Sequence, residues 1–282
     1  MRTPALLALL TAVLLCGACT DKVKRSEAGS VTHAAMLAGV VREDLKELAD
    51  GMPKGAERSY KAFYVDIASP LQDPFTTQRA LENVHMRTNE LRNAKASFYA
   101  LLDADGTAIR SSRKVDLMAG KKLFALFPGL AAGAPKFRTA FGSFDTEERT
   151  EGKTRTYVTS SAIVGPAGEL KGYLAAGWSY GSFAHHLGET LRSRVRESVL
   201  RGELKEKEPV LYVACFDETG LYAESDMPKV TAEELAKQVM ATGGKDKASG
   251  RMTVEGHDFG WALERVGEWS PTAGVAVARS EL

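Results

Sequence analysis

One strand–turn–strand pattern occurs twice in this chain, and this repeat constrains the fold more than any other feature. The first copy is FYALLDADGTAIRSS at Phe98–Ser112, and the second is LYVACFDETGLYAES at Leu211–Ser225. The matched positions are Asp103 and Asp217 where the turns start, Gly106 and Gly220 where they close, and Ser111 and Ser225 after them. An apolar run, a tight Asp-x-x-Gly turn and a returning strand predict two copies of one antiparallel sheet module.

Further strands follow the first copy. Arg155–Val164 and Lys171–Trp178 have the residue patterns of strands, and Gly165–Gly168 (GPAG) has the composition of a tight turn. We therefore predict a hairpin that completes the first module. Apolar residues at steps of four then predict a helix over Ser179–Lys207, which joins the two modules.

A helix and more strands follow the second copy. Thr231 and Glu234 fit a capping box, which predicts a helix over Thr231–Ala241. Gly243–Gly250 is expected to be a flexible turn. The last strands are expected at Arg251–Val266, bent or broken at Gly256, and at Gly274–Arg279.

Helical spacing of apolar residues dominates the region before the first module. It predicts three helices, at Val31–Asp50, Glu57–Ser69 and Thr76–Ala96, and Gly51-Met52-Pro53 is expected to end the first of them. The predicted fold class is therefore α+β, with N-terminal helices followed by two antiparallel sheet modules that a helix joins.

The N-terminus has the pattern of an export signal. A basic residue precedes an apolar run at Ala5–Leu15, which is too short to span a bilayer. Gly17-Ala18 before Cys19 resembles the lipobox of bacterial lipoproteins, although Cys16 stands where that motif usually has Leu. The resemblance implies a lipid on Cys19 and, with Thr20 next, the outer membrane. An ordinary secretory signal cut at about the same place is the alternative.

Composition narrows the classes of partner. The 37 Lys and Arg residues nearly balance the 36 Asp and Glu residues, so we expect no nucleic-acid partner. Of the three cysteines, Cys16 would leave with the signal and Cys19 would be lipidated. Cys215 is then alone, so no internal disulfide is expected. Because it lies in an apolar run, Cys215 is expected to be a buried, inert thiol.

The order of these parts resembles the Cache family, the PAS-like sensor domains that lie outside the cytoplasm. The shared layout is a long helix, a strand–Asp-x-x-Gly–strand unit, a variable helical middle and a final hairpin. In addition, GYLAAGWSYGSFAHHL at Gly172–Leu187 resembles the end of a Cache module. The resemblance covers about Thr76–Leu282 in two modules. It implies a small-molecule pocket between each sheet and the helices and loops over it.

The resemblance also sets the expected organisation. Cache modules usually feed a transmembrane helix and an output domain, whereas this sequence ends on a strand, so a separate partner is expected to carry the signal. The expected parts are a lipoprotein signal peptide at 1–18, a tether at 19–30, a helical region at 31–96, a first PAS/Cache-like module at 97–190, a connecting helix at 191–208 and a second module at 209–282.

Candidate ligand-binding side chains are concentrated in the first module. Tyr157, Ser161 and Tyr173 offer hydroxyl groups on sheet faces that they share with apolar residues. Arg110 and Arg113 follow the first turn, and guanidinium groups bind carboxylates. The alternative is that the tyrosines belong to the core and the arginines are solvated. The weaker candidates of the second module are Trp261, Glu264 and Arg265.

One motif points to an enzyme instead. Gly177–Gly181 (GWSYG) matches the G-x-S-x-G nucleophile elbow and lies between a predicted strand and a helix. A triad of Ser179 with Asp217 or Asp226 and His257 would make the chain a serine hydrolase. The flanking strands are predicted to be hairpins rather than alternating βα units, and Ser179 also suits a helix N-cap. We therefore favour a protein that is not an enzyme.

No sequence pattern predicts a cofactor or a metal site. Asp103–Gly106 has the start of a calcium loop without its remaining ligands. His185 and His186 are adjacent on a predicted helix and point to different sides, and His257-Asp258 has no second cluster.

These observations together predict a lipid-anchored sensory or ligand-binding protein of the cell envelope, facing the periplasm from the outer membrane. It would bind a small molecule and pass its state to a separate membrane sensor or envelope protein. A serine hydrolase and a structural envelope lipoprotein that binds only protein are the alternatives.

Overall fold

The structure is a computed structural model that describes residues 4–67, 73–130, 137–144, 154–203 and 208–281, with side chains from Lys22 onward. The side chain of Cys19 lies outside this range, so its lipidation and the cleavage before it remain predictions. Among the described residues, no helix combines the length and the apolar character that crossing a membrane requires.

Helices and strands follow one another in the order that the repeat suggests. The helices are α1 (Pro4–Tyr64), α2 (Pro74–Arg87), α3 (Asn89–Asn93), α4 (Leu123–Leu126), α5 (Tyr180–Leu200) and α6 (Lys229–Met240), with a 3-10 turn at Pro128–Leu130. The strands are β1 (Phe98–Leu102), β2 (Ala108–Ser111), β3 (Arg138–Phe144), β4 (Thr154–Val164), β5 (Leu170–Ser179), β6 (Val210–Asp217), β7 (Gly220–Ala223), β8 (Lys247–Val254), β9 (His257–Arg265) and β10 (Gly274–Ser280).

The chain divides into two compact units, each with one antiparallel sheet. The unit formed by Val41–Phe183 contains the strand order β2-β1-β5-β4-β3. The unit formed by Met1–Val40 and Ala184–Leu282 contains the order β7-β6-β10-β9-β8. Each sheet therefore has its first strand beside its last, which confirms the prediction of two copies of one module and the α+β fold class.

The repeated aspartates organise the two matching turns. Asp103 Oδ1 accepts the backbone N–H groups of Asp105 and Thr107, both at 2.9 Å. Asp217 Oδ1 accepts the N–H of Thr219 at 2.8 Å. A carboxylate that satisfies turn N–H groups holds the turn without further partners. Holding the turn is a structural role that accounts for the repeated Asp. No calcium ion is needed to explain it.

Each sheet has one face covered by the segment between its second and third strands. In the first unit, Phe98, Leu102 and Val158 pack against Leu123 and Phe127 of the α4 region. In the second unit, Leu235 and Val239 of α6 pack on the equivalent face; the sheet residues there include Phe216, Leu263 and Ala276. Burying each such side chain contributes roughly 1.5–3 kcal/mol, so these faces are the cores of the two units.

The opposite face of each sheet lies against α1. In the first unit, an added Cβ at Gly55 would lie 2.8 Å from Leu174 of β5, so the helix backbone approaches the sheet closely there. In the second unit, Ser30 Oγ donates to the carbonyl of Gly260 on β9 at 2.8 Å. Ser26 and Ser30 are both buried. The predicted tether at 19–30 is thus wrong for these residues, which are part of a packed helix.

The prediction that Gly51-Met52-Pro53 ends the first helix is also wrong. α1 continues through Pro53 to Tyr64. Met52 is fully buried, and an added Cβ at Gly51 would lie 2.8 Å from Leu91. The glycine is there for close packing rather than for termination, and burial of this face outweighs the hydrogen bond that proline removes.

Other boundaries differ from the predictions for local reasons. The predicted helix Thr76–Ala96 is two helices, because Thr88 has an extended backbone between α2 and α3. α6 starts at Lys229 after Pro228, so Thr231 is a buried helical residue and not the expected cap.

The end of the second module contains one more strand than predicted. β8 starts at Lys247, inside the expected flexible turn, and pairs with β9 along its length. Glu255 and Gly256 connect the two strands with φ angles of 50° and 80°. Both values are positive, as a two-residue hairpin turn of type I′ requires. The chain therefore reverses its direction completely at Gly256, where a bend or break within one strand was expected.

Candidate functional site

The two arginines predicted to hold a ligand are engaged in structural contacts. Arg110 on β2 donates from Nη2 to Gln78 Oε1 at 2.9 Å and forms an ion pair with Asp116, with 3.3 Å between Nη1 and Oδ2. Arg113 donates from Nη1 to the carbonyl of Ser97 at 3.2 Å. Arg110 thereby fastens α2 to the edge of the sheet.

The predicted hydroxyl residues do not meet in one place. Tyr157 pairs with Trp178 across β4 and β5, whereas Tyr173 pairs with Ala162. Side chains alternate between faces along a strand, so Tyr157 and Ser161 lie on the α1 face and Tyr173 on the other. All three are buried, and Tyr157 contacts the Trp178 ring, with 4.8 Å between centroids. Burial raises the pKa of Tyr157.

The hydrolase triad of Ser179, Asp217 and His257 has no support in the geometry. Ser179 Oγ accepts the N–H of Ser182 at 3.3 Å, so it caps α5 as its alternative role implied. The strands around it are antiparallel. Asp217 ends β6 and His257 starts β9, and these two strands run in the same direction on either side of β10. Asp217 and His257 therefore lie at opposite ends of their sheet.

The weaker candidates of the second module are also in structural positions. Trp261 is buried on β9. Glu264 forms an ion pair with Lys247 at 2.9 Å across β8 and β9. Arg265 donates from Nε to the carbonyl of Lys245 at 3.0 Å and lies over the ring of Phe216.

Cys215 is buried, as the apolar run predicted, and burial raises the pKa of its thiol.

A cluster that no sequence pattern indicated lies in the second unit. One ligand atom from each of His185, Glu224 and Asp226 lies within 4.8 Å of the others. Glu224 is fully buried and already accepts hydrogen bonds from Arg192, at 3.1 and 2.7 Å, and from the N–H of Val213 at 2.8 Å. The carboxylate is thus satisfied by protein groups, and the cluster carries no metal assignment.

A groove between α1 and α2 in the first unit has the dimensions of a ligand pocket. Its volume is about 430 Å³, and small-molecule sites are typically about 300–1,000 Å³. The lining residues are Arg58, Lys61, Ala62, Asp66 and Ile67 from the end of α1 and just beyond it, and Thr76, Arg79, Ala80, Asn83, Val84 and Arg87 from α2.

Local sequence explains the wall of the groove that α2 forms. Asp73 caps α2, with its carboxylate accepting the N–H of Phe75 at 3.1 Å, and Pro74 occupies the first turn. The lining residues of α2 recur at three- and four-residue steps and therefore share one helical stripe. Gln78, on another side of α2, holds Arg110. The stripe is visible in the sequence, but no pattern indicates that the end of α1 lies beside it.

Asp44, on the part of α1 that belongs to the first unit, has a buried carboxyl group. Burial raises the pKa of Asp44 to about 7, although the nearby charge of Lys95 lowers it. Asp44 Oδ2 has no hydrogen-bond partner among the described residues. Burial also lowers the pKa of His85, whose ring stacks on Tyr99 with 4.5 Å between centroids. Asp44 thus changes its charge near neutral pH.

Comparisons with known proteins give structural similarity only. No protein-family profile matches the chain, and no curated protein matches it either. An extracellular ligand-binding receptor from Desulfohalobium retbaense has 11% identity and a TM-score of 0.51, covering 89% of this chain and 40% of the receptor. The periplasmic domain of Vibrio cholerae LuxQ has 14% identity and a TM-score of 0.49, covering 90% and 100%.

The periplasmic sensory domain of the Campylobacter jejuni chemoreceptor Tlp1 is a third similar structure, with 9% identity and a TM-score of 0.49 over 92% of this chain and 95% of that one. At such low identity the likeness to the Desulfohalobium receptor describes the fold. A long N-terminal helix followed by two five-stranded antiparallel sheets is the double Cache fold, as the resemblance in the sequence implied.

Proposed function

We propose that this chain is a ligand-binding sensory protein of the cell envelope that binds a small molecule in the groove between α1 and α2. The observation that carries the proposal is this groove of about 430 Å³ in the first unit of a double Cache fold. The Desulfohalobium protein, which is similar in fold over 40% of its chain, is described as an extracellular ligand-binding receptor. The protein faces the periplasm and catalyses no reaction of its own.

The proposed anchor is a lipid on Cys19, supported by the lipobox-like residues before it. A single lipid chain gives weak membrane binding and several chains give stable anchoring. The outer membrane is the proposed site because Thr20 follows the cysteine. The protein then passes its ligand-bound state to a separate membrane sensor or envelope protein through surface contact.

Ligand binding is tested by thermal unfolding of the whole protein, purified in a mild detergent, with a panel of organic acids, amino acids, purines and amines. A ligand at 100 times its dissociation constant stabilises the folded state by about 2.7 kcal/mol. We expect at least one compound to raise the melting temperature, and the rise to be lost in Arg79→Gln. No rise with any compound would contradict the proposal and favour a lipoprotein that binds only protein.

Metabolic labelling with a radioactive fatty acid tests the anchor. Cys19→Ala should lose the label, whereas Cys16→Ala, a matched change in the signal segment, should keep it. Equal labelling of the Cys19→Ala variant and the unaltered protein would show that the anchor is not at this residue.

A further inference from the structure

We infer that the ligand of the groove between α1 and α2 is a small organic polyanion, a compact molecule with an apolar carbon body and two or more negative groups. This inference rests on the proposed function and specifies the ligand class for the same site. It comes from the charges, the floor and the size of the groove.

The charges lining the groove are strongly unbalanced. Four lining side chains are cationic, Arg58 and Lys61 on α1 and Arg79 and Arg87 on α2, and one is acidic, Asp66. All five are exposed to solvent. The whole chain has 37 basic and 36 acidic residues, so this local excess of cations does not reflect the average composition. A concave site lined by one sign of charge attracts ligands of the opposite sign.

Three other cations of the first unit form ion pairs, and the charge of Arg58 acts on Glu90 without forming one. Arg110 pairs with Asp116, Lys54 with Glu90 and Lys171 with Glu169. No ion pair links any of the four groove cations to a carboxylate in the part of the chain that the structure describes. Arg79 lies over the ring of Phe75, with 4.5 Å between its Cζ and the ring centroid. That contact orients its guanidinium group and leaves its charge available.

The floor of the groove is apolar and made of short side chains. Ala62 and Ala80 come from the two facing helices, and Val84, which is 4% exposed, lies beside them. Such a floor accommodates a carbon skeleton and offers nothing to a fully hydrated ion. Asn83 adds an amide that can donate hydrogen bonds at the wall of α2, whereas the hydroxyl of Thr76 already donates to Asp73.

The size and the arrangement of the cations indicate more than one negative group. A volume of about 430 Å³ is near the lower end for small-molecule sites and suits a compact metabolite. Cations stand on both helices, and one carboxylate meets only one guanidinium in the two-bond geometry. A molecule with two or more anionic groups pairs with both walls at once. Dicarboxylates, tricarboxylates and phosphate esters that also carry a carboxylate share this chemistry.

Isothermal titration calorimetry on the whole detergent-purified protein tests the inference with six probes. Succinate, citrate and 3-phosphoglycerate are the polyanions; propionate, succinamide and inorganic phosphate are the controls. We expect at least one polyanion to bind at least tenfold more tightly than all three controls, with an affinity that falls as salt rises. The relative affinities of the carboxylates and the phosphate ester show whether the groove prefers carboxylate or phosphate groups.

Variants locate the binding. The double variant Arg79→Gln, Arg87→Gln should weaken polyanion binding at least tenfold, because it removes both positive charges from the α2 wall of the groove. Arg92→Gln, an exposed arginine on α3 outside the groove, is the matched control and should leave binding unchanged. Unaltered melting temperatures would show that the double variant is folded.

The outcomes separate the two proposals. Tighter binding of succinamide or propionate than of any polyanion would overturn the polyanion inference and leave a ligand-binding protein. Equal binding of inorganic phosphate would overturn the organic part, because the apolar floor would then contribute nothing. If none of these probes binds but another compound of the thermal panel does, the proposed function stands and the ligand class is wrong. If neither these six probes nor any compound of the thermal panel binds, the proposed function itself is contradicted.

Discussion

The two modules share a strand order and differ in how they satisfy the same backbone group. In the first, the N–H of Tyr99 on β1 donates to Ser112 Oγ at 3.0 Å. In the second, the matching N–H of Val213 on β6 donates to Glu224 Oε1 at 2.8 Å. The first acceptor is a neutral hydroxyl, and the second is a fully buried carboxylate.

That difference changes what the rest of each unit must supply. A buried carboxylate needs a cation, and Arg192 on α5 supplies it through two hydrogen bonds of 3.1 and 2.7 Å. Glu224 raises the pKa of Arg192 still further above its ordinary value. The first module needs no such cation for Ser112. One residue after the second strand thus decides whether a unit depends on a buried ion pair.

The largest expected effect comes from breaking this ion pair. Arg192→Leu should lower the free energy of unfolding of the second unit by about 3–5 kcal/mol, because Glu224 is left buried and charged without its partner. Hydrogen exchange at β6 and β10 measures the change within that unit. Adding Glu224→Ser, which copies the first module, should restore most of the stability. A double variant as unstable as Arg192→Leu would contradict this account.

The next effect compares two titratable residues on α1. Asp44 in the first unit has a pKa raised to about 7 by burial, whereas burial and then Arg279 lower the pKa of His33 in the second unit to about 4. The Asp44 contribution to stability is fully present below its ordinary pKa of 3.8 and is lost as pH rises through about 7. The His33 contribution is present above 6.5 and is lost as pH falls through about 4.

Asp44→Asn should therefore remove a loss of roughly 2–4 kcal/mol that the first unit otherwise shows between pH 4 and pH 8. The charged groups that act on Asp44 are Lys95 from the segment before β1, and Glu43 and Glu47 from its own helix. Urea unfolding at the two pH values measures the difference. An unchanged pH dependence in the variant would mean that Asp44 titrates alike in the folded and unfolded chain.

A smaller effect distinguishes the two close approaches of α1 to a sheet. An added Cβ at Gly260 would lie 2.1 Å from the backbone nitrogen of Glu27, which cannot move alone. At Gly55 the nearest atoms, at 2.6 and 2.8 Å, are the ends of the Leu91 and Leu174 side chains. Gly260→Ala should cost about 2–3 kcal/mol. Gly55→Ala should cost less than about 1 kcal/mol, because alanine also favours the helix. Equal costs would contradict the comparison.

The smallest expected effect is that of Ser112→Ala. It removes the acceptor of the Tyr99 N–H and should cost about 1 kcal/mol in the first unit, measured by urea unfolding. A cost matching that of Arg192→Leu would mean that the neutral and the ionic arrangements are equally critical, and the contrast between the modules would fail.

Much of the fold was predictable because the repeat and the strand patterns are local. Asp103 and Asp217 indicate the two turns in the sequence. Each side chain accepts hydrogen bonds from its own turn, so the pattern depends only on nearby residues. The hairpin of β4 and β5 and the cap at Ser179 were predictable for the same reason. The candidate site was not predictable. Arginine is a residue type that often binds anionic ligands, but Arg110 is hydrogen-bonded to Gln78 and ion-paired with Asp116. Both partners lie outside its own strand.

The sequence by itself determined the two repeated strand–turn–strand units, their Asp-x-x-Gly turns and the burial of Cys215, because apolar periodicity records how deeply each segment is buried. Only the tertiary structure decided that α1 passes through Pro53, that Ser26 and Ser30 pack on a sheet, and that Tyr157 and Tyr173 face opposite ways. It also decided that the basic stripe of α2 faces the end of α1. The physical reason is that periodicity shows that a face is covered, while which element covers it depends on contacts between residues far apart in the chain.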